Sequence, residues 1–343
     1  MIRNILTGAA ALAVLAMPVA AQNLRVMGQP VATGLIQKNV EQPFFENFAA
    51  ETGLEGFTAD YQPVDVTGIK DTEQLRVLKD GLFDIVSLRL SQVSRDEPTI
   101  LGLDLVGLNP DYATGKTTVE AFAPVVDARL QEKFNTKLLG VWPFGPQVLF
   151  CEPEIGSLAD LKGLKVRVYD QNLAEFVSLV GGTPVPIGFP EVQQSLARGV
   201  VDCAITGPSS ANSAGWPEVT SYTLPIAFQL AMNGYGINLD TWNKLTPEQQ
   251  DKLQAGFDKL SDKIWAYSEE LFVDAVNCNT GTEPCETGTS YKLKLVEPTA
   301  TDKELVGTAV PNVSFPAWKE VCDATNPGCS DAWMETVGAK RGM

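Results

Sequence analysis

Histidine is absent from this 343-residue chain. That excludes Ser-His and Cys-His hydrolases, histidine general bases and histidine-based zinc sites. Carboxylate-pair and lysine chemistry survive, yet no Ser-x-x-Lys or Gly-x-Ser-x-Gly motif stands out. Basic residues are scarce too: 26 Lys and Arg face 42 Asp and Glu, for a net charge of −16. Nucleic acid and anionic lipid both need basic patches, so neither is an expected partner. Beyond residue 21 no run of about 18 apolar residues exists to cross a bilayer. The first cysteine is Cys151, which removes a lipoprotein anchor near the start.

What is present begins with an export signal over residues 1–21. Arg3 supplies the positive start, Ala9 to Leu15 is apolar, and Val19-Ala20-Ala21 offers the small residues a signal peptidase reads. The mature chain is expected to begin at Gln22, leaving about 320 residues. That length exceeds one ordinary core and predicts two domains. Six cysteines in an exported chain predict disulfides, though many connectivities are open. Loop closure favours Cys278 with Cys285 and Cys322 with Cys329, which leaves Cys151 with Cys203. Metal sites use tighter spacing, so no metal and no cofactor is expected.

Leu24 to Gly28 reads as a strand, and residues 39–52 as a helix ended by Gly53. A strand near Thr58 to Val64, a helix from Asp71 to Asp80 and a strand from Phe83 to Val86 complete a β-α-β-α-β unit. The order recurs: strand Lys165 to Val168, helix Asn172 to Val180, an extended Pro184 to Ile187, helix Pro190 to Arg198, strand Val200 to Ile205. Leu78-Lys79-Asp80-Gly81-Leu82-Phe83-Asp84 and Leu196-Ala197-Arg198-Gly199-Val200-Val201-Asp202 share Leu-x-x-Gly-x-x-Asp at a helix-to-strand junction. Two such copies hint at two similar lobes. Val119 to Phe134 has a helical apolar face. Thr246-Pro247-Glu248-Gln249 is a strong helix start, after which Leu253, Phe257, Leu260, Ile264, Tyr267 and Leu271 form a long stripe. From Cys278 onward the chain reads as loop-rich, with Trp318 and Trp333 between cysteine loops.

Between Leu161 and Tyr222 stand Leu161-Lys162-Gly163-Leu164-Lys165-Val166-Arg167-Val168 and Gly181-Gly182-Thr183-Pro184-Val185-Pro186. Phe189-Pro190-Glu191-Val192, Gly199-Val200-Val201-Asp202 and Trp216-Pro217-Glu218-Val219 follow. In these blocks and their spacing the stretch resembles the DctP family, the periplasmic binding components of tripartite ATP-independent periplasmic (TRAP) transporters. The resemblance implies an α/β, two-lobed type II periplasmic-binding-protein fold with a long lobe-spanning helix. Lobe I would take residues 22–143 plus 226–262, lobe II 144–225, the long helix 246–276, and a disulfide-stapled C-terminal extension 277–343. It further implies a periplasmic protein that captures a small organic anion, carboxylate or sulfonate, for a small and a large integral-membrane TRAP subunit; a monomer is the default expectation, with the oligomeric state open.

In that family the arginine of the Lys-x-Arg-Val strand holds the ligand carboxylate, which places the role on Arg167. Guanidinium chemistry agrees, since its planar fork matches a carboxylate in two parallel hydrogen bonds. An arginine between Val166 and Val168 should point away from their face. The competing reading is a structural ion pair with an acidic residue. Gln147 stands where many relatives carry a second arginine, and Thr206-Gly207-Pro208 replaces their usual Glu-Asn-Pro, which leaves the ligand unnamed. Phe189 and Trp216 are candidate walls. In the first lobe Ser87, Arg89 and Gln92 follow a strand end, where α/β ligand sites gather, and Gln29 follows the first strand. Two other readings are carried: a binding protein of the same fold serving an ABC importer or a sensor, and a secreted carboxylate-pair glycosidase or lyase.

Overall fold

The computed structural model describes residues 22–30 and 34–343; the export signal expected over residues 1–21 lies outside the described residues. Two sheets organise the chain. The first holds β1 (Gln22–Gly28), β2 (Phe57–Pro63), β3 (Ile85–Arg89), β4 (Thr136–Pro143) and β10 (Met232–Asn238) in the order β2-β1-β3-β10-β4. The second holds β5 (Val148–Cys151), β6 (Lys165–Val168), β7 (Thr183–Pro186), β8 (Cys203–Thr206), β9 (Tyr222–Leu224) and β11 (Lys294–Leu295) in the order β11-β9-β5-β8-β6-β7.

The two orders are the same pattern. In each, three strands run parallel (β2-β1-β3 and β7-β6-β8) and two antiparallel strands follow (β10 and β4; β5 and β9). The repeated Leu-x-x-Gly-x-x-Asp motif is the clasp of each parallel unit. In the first lobe Asp84 Oδ2 accepts from the Arg25 N–H at 2.8 Å, and Arg25 Nη2 donates to the Gly81 carbonyl at 2.8 Å. In the second, Asp202 Oδ2 accepts from the Lys165 N–H at 2.7 Å, and Lys165 Nζ donates to the Gly199 carbonyl at 2.9 Å. Gly81 and Gly199 sit at φ of +68° and +66°, the left-handed region that a Cβ disfavours. The motif therefore encodes a turn and an anchor together.

Two short segments cross between the sheets side by side. The Gly145 N–H donates to the Leu230 carbonyl at 2.9 Å and that of Gln147 to Gln229 at 2.8 Å, with Phe228 N–H returning to Gln147 at 3.1 Å. Buried side chains knit the same seam. Gln229 Nε2 donates to the Asp104 carbonyl (2.7 Å) and to Asp170 Oδ2 (3.2 Å), while its Oε1 accepts from the Tyr169 hydroxyl (2.9 Å).

The long helix runs Pro247–Thr280, about 50 Å at the usual rise. Thr246 and Gln249 exchange side-chain and backbone bonds as its sequence predicts, and Gly281 ends it in the left-handed conformation. Its apolar stripe enters the first core, where Trp265 Nε1 donates to the Val141 carbonyl at 3.0 Å. Its far end meets the second lobe, where Asn279 Nδ2 donates to the Pro208 carbonyl at 3.0 Å.

The structure corrects two readings. The helix expected from Val119 begins at Tyr112, capped by Asp111, because a side chain that accepts from the Thr114 N–H outweighs the weak propensity of Thr117, Thr118 and Gly115. The C-terminal region is not loop-rich after residue 299: Ala300–Gly307, Phe315–Thr325 and Cys329–Trp333 are helices. Pro311 falls in the first turn of the helical run over 309–325, where proline's missing N–H costs nothing, and Pro316 follows the π-helical turn Val310–Ser314 within it. Trp318 and Trp333 join the first core, and Val296, Val306 and Ala309 the second, so this segment is a wedge shared by both. Disulfides join Cys151–Cys203, Cys278–Cys285 and Cys322–Cys329.

Candidate functional site

Strand alternation decides where Arg167 goes. Val166 and Val168 turn into the second core, so Arg167 faces the opposite side, into a cleft between the lobes. Only 3% of it is exposed. Two backbone acceptors fix the side chain: Nε donates to the Ile187 carbonyl at 2.9 Å and Nη1 to that of Ile205 at 2.8 Å. Tyr169 and Trp216 place their rings 5.5 and 5.7 Å from the guanidinium carbon. No carboxylate pairs with it among the described residues, and residues 1–21 and 31–33 contain no acid. Burial pushes its pKa down to about 10, opposed by Tyr169 and Asp170 and helped by Arg89. It stays cationic at neutral pH. The competing reading of a structural ion pair thus finds no partner, and Nη2 makes no hydrogen bond among the described residues.

The cleft encloses about 130 Å³, far below the ~300–1,000 Å³ of pockets for drug-sized molecules. Of the expected residues, Arg167, Arg89, Gln147, Thr206, Phe189 and Gln92 all line it. Arg89 stands at the end of β3, with Nε donating to Gln29 Oε1 at 2.7 Å and Nη1 to Asp71 Oδ2 at 3.1 Å; the Phe144 ring lies 5.6 Å away. Gln147 donates to the Gly145 carbonyl at 2.8 Å. Gln92 Nε2 reaches the Tyr169 carbonyl across the cleft at 3.4 Å. The strand ends of β3, β6 and β8 converge here, as open α/β sheets place their ligand sites.

Three expected contacts do not line the cavity. Trp216 is fully buried beneath Phe189, ring on ring at 5.4 Å, because Phe189 opens the helix that covers it. Ser87 shares a strand face with Arg89 but lies two residues further inside the sheet, fully buried beside Glu41, so only Arg89 at the strand's end reaches the cleft. Gln29 is fully buried; it donates to the Ser87 carbonyl and accepts from Arg89, so it holds the arginine from behind. Behind it Glu41, also buried, accepts from the Gln29 N–H (3.2 Å) and the Tyr61 hydroxyl (2.9 Å), and burial pushes its pKa upward.

Sequence reasoning missed Asp71, Phe144, Tyr169 and Asn233, all of which line the cleft. Tyr169 was available, since it lies two residues beyond Arg167 and shares its face. Asp71 was hidden by its second role as the acidic first residue of a helical turn. Nothing in the sequence shows that the return strand β10 brings Asn233 here.

The model of the bacterial extracellular solute-binding proteins, family 7, matches residues 67–277. The sialic acid-binding periplasmic protein SiaP of Vibrio cholerae is 26% identical over 202 residues, 56% of this chain and 60% of that protein. Matches to the curated relatives span between 39% and 60% of their lengths. Among solved structures, the extracytoplasmic solute receptor DctP6 of Bordetella pertussis, described as binding pyroglutamic acid, superposes with a TM-score of 0.77 at 19% identity, covering 92% of this chain and 100% of that one. A TRAP periplasmic solute-binding protein of Rhodoferax ferrireducens with bound malonate gives 0.78 at 18%, covering 93% and 98%. At such identities the structural likeness shows the fold, a type II periplasmic-binding-protein architecture.

Proposed function

The chain belongs to the bacterial extracellular solute-binding proteins of family 7, and on that footing we propose that it captures a small organic anion in the periplasm and hands it to a TRAP permease of one small and one large membrane subunit. The observation that carries the reading is Arg167, a buried guanidinium held open by two carbonyls and lacking any carboxylate partner. A buried, uncompensated charge is costly, so the site is built for an anion brought from outside. Carboxylate ligands named for SiaP, DctP6 and the Rhodoferax protein support the same class.

In this reading the anion docks on Arg167, and rotation about the paired segments at residues 144–147 and 228–231 brings Arg89 over it. Closure removes water and strengthens each charge-assisted bond. Periplasmic location follows from the export signal expected over residues 1–21. The chain acts by binding, not by turnover.

The test is to release bound small molecules from purified protein, identify them by mass spectrometry and rebind them by calorimetry. An organic anion recovered unaltered and rebinding with 1:1 stoichiometry supports the proposal. Recovery of a cation, or conversion of the anion to a product, overturns it. Uptake by reconstituted membrane subunits driven by an ion gradient without ATP separates a TRAP from an ABC partner.

A further inference from the structure

Charged side chains lining the cleft number three among the described residues: Arg167, Arg89 and Asp71. Two of them already cancel, because Arg89 Nη1 donates to Asp71 Oδ2 at 3.1 Å. The cleft therefore presents one uncompensated positive charge, on Arg167, rather than the two its arginines suggest. Asp71 has a further property. Its second oxygen, Oδ1, is buried and accepts no hydrogen bond from the described residues. An unpartnered carboxylate oxygen shut away from water is costly, and because Asp71 lines the cleft, a donor on a bound ligand would relieve that cost.

We propose that Asp71 sets the ligand class: a small monoanion whose charged group sits on Arg167 and whose own N–H or O–H donates to Asp71. The inference rests on the organic-anion reading above and narrows it. A second carboxylate on the ligand would meet Asp71, and two like charges in a dry cleft repel strongly. A monoanion without a donor leaves Asp71 unsatisfied and forfeits a charge-assisted bond. Gln147, Thr206 and Asn233 line the remaining wall with neutral polar groups, which suits a polar ligand without adding charge.

The experiment is calorimetry and thermal shift on the mature protein and two variants, with three probe sets. Pyroglutamate and 3-hydroxybutanoate are monoanions with a donor; cyclopentanecarboxylate and butanoate lack it; succinate and glutarate carry two charges. In the wild type a donor-bearing monoanion should bind at least about tenfold more tightly than its donor-free counterpart. Asp71→Ala should erase that preference. Asp71→Asn, which keeps the shape and drops the charge, should raise dicarboxylate affinity about tenfold or more relative to the monoanion. A dicarboxylate ranking first in the wild type, or an unchanged ranking in both variants, overturns the inference. If that dicarboxylate still requires Arg167, the organic-anion reading stands and only the ligand class falls. If no probe binds and the molecule released from the protein is not an anion, both fall.

Discussion

Arg25 and Lys165 occupy the same place in the two lobes, each bound through its N–H to the aspartate that closes its parallel unit. Two residues further along, the lobes part. Met27 pairs in register with Val86 and is buried in the first core, whereas Arg167 pairs with Ala204 and turns into the cleft. The first lobe instead offers its cation from the end of β3, as Arg89, and neutralises it with Asp71. One strand order thus supports two unequal binding surfaces. The second lobe carries a bare charge in a fixed pose, and the first a compensated charge at a rim. Under the proposed function, this asymmetry would make the second lobe the place where the anion lands and the first the cover that follows.

The largest break in this comparison is Arg167→Ala. Removing the cleft's unpaired cation should cost about 3–5 kcal/mol of ligand affinity, read by calorimetry. Arg167→Lys should not restore it, since an ammonium cannot reach both carbonyls and the ligand in one plane. The clasps come next. Asp84 accepts three bonds from Arg25 and one from Thr241, whereas Asp202 takes the Lys165 N–H from a more open position. Asp84→Ala should cost about 2–3 kcal/mol in urea denaturation and Asp202→Ala about 1 kcal/mol.

The seam between lobes gives a pH signature of similar size. Burial pushes Asp104 and Asp170 up to about 6. Their unfolded value is near 4, so between about pH 4 and 6 the folded protein holds protons that the unfolded chain releases. This contribution to stability therefore falls as pH rises through that window, by an amount on the order of 2 kcal/mol for each aspartate. Urea midpoints should be higher at pH 5 than at pH 7.5, and Asp104→Asn with Asp170→Asn should flatten the difference. Smallest is Arg89→Ala, expected to weaken binding by about 1 kcal/mol because Asp71 already pairs that side chain at the rim.

Much of this was legible in the sequence because it is local. The repeated Leu-x-x-Gly-x-x-Asp, the Thr246-to-Gln249 cap and the alternation around Arg167 each state their consequence within a few residues. Loop closure favoured the two local cysteine pairs and left Cys151 with Cys203, the pairing the structure has. What was not legible depends on contacts distant in sequence. Arg89 finds Gln29 60 residues away, and Trp216 goes beneath Phe189 rather than into the cleft. Asp71 shows the limit best, since an acidic residue opening a helical turn needs no further explanation until the fold sets it against Arg89. The C-terminal helices were missed on the same ground, since what holds them is packing of Trp318 and Trp333 against Phe122 and the first core, far away in sequence.

A crystal structure of the protein with the ligand it retains through purification tests the central claim most directly. The account predicts an anionic oxygen within hydrogen-bonding distance of Arg167 Nη2, with Nε and Nη1 still on the Ile187 and Ile205 carbonyls. A ligand whose charged group rests on Arg89 alone, with Arg167 turned to water or to a protein carboxylate, would contradict it.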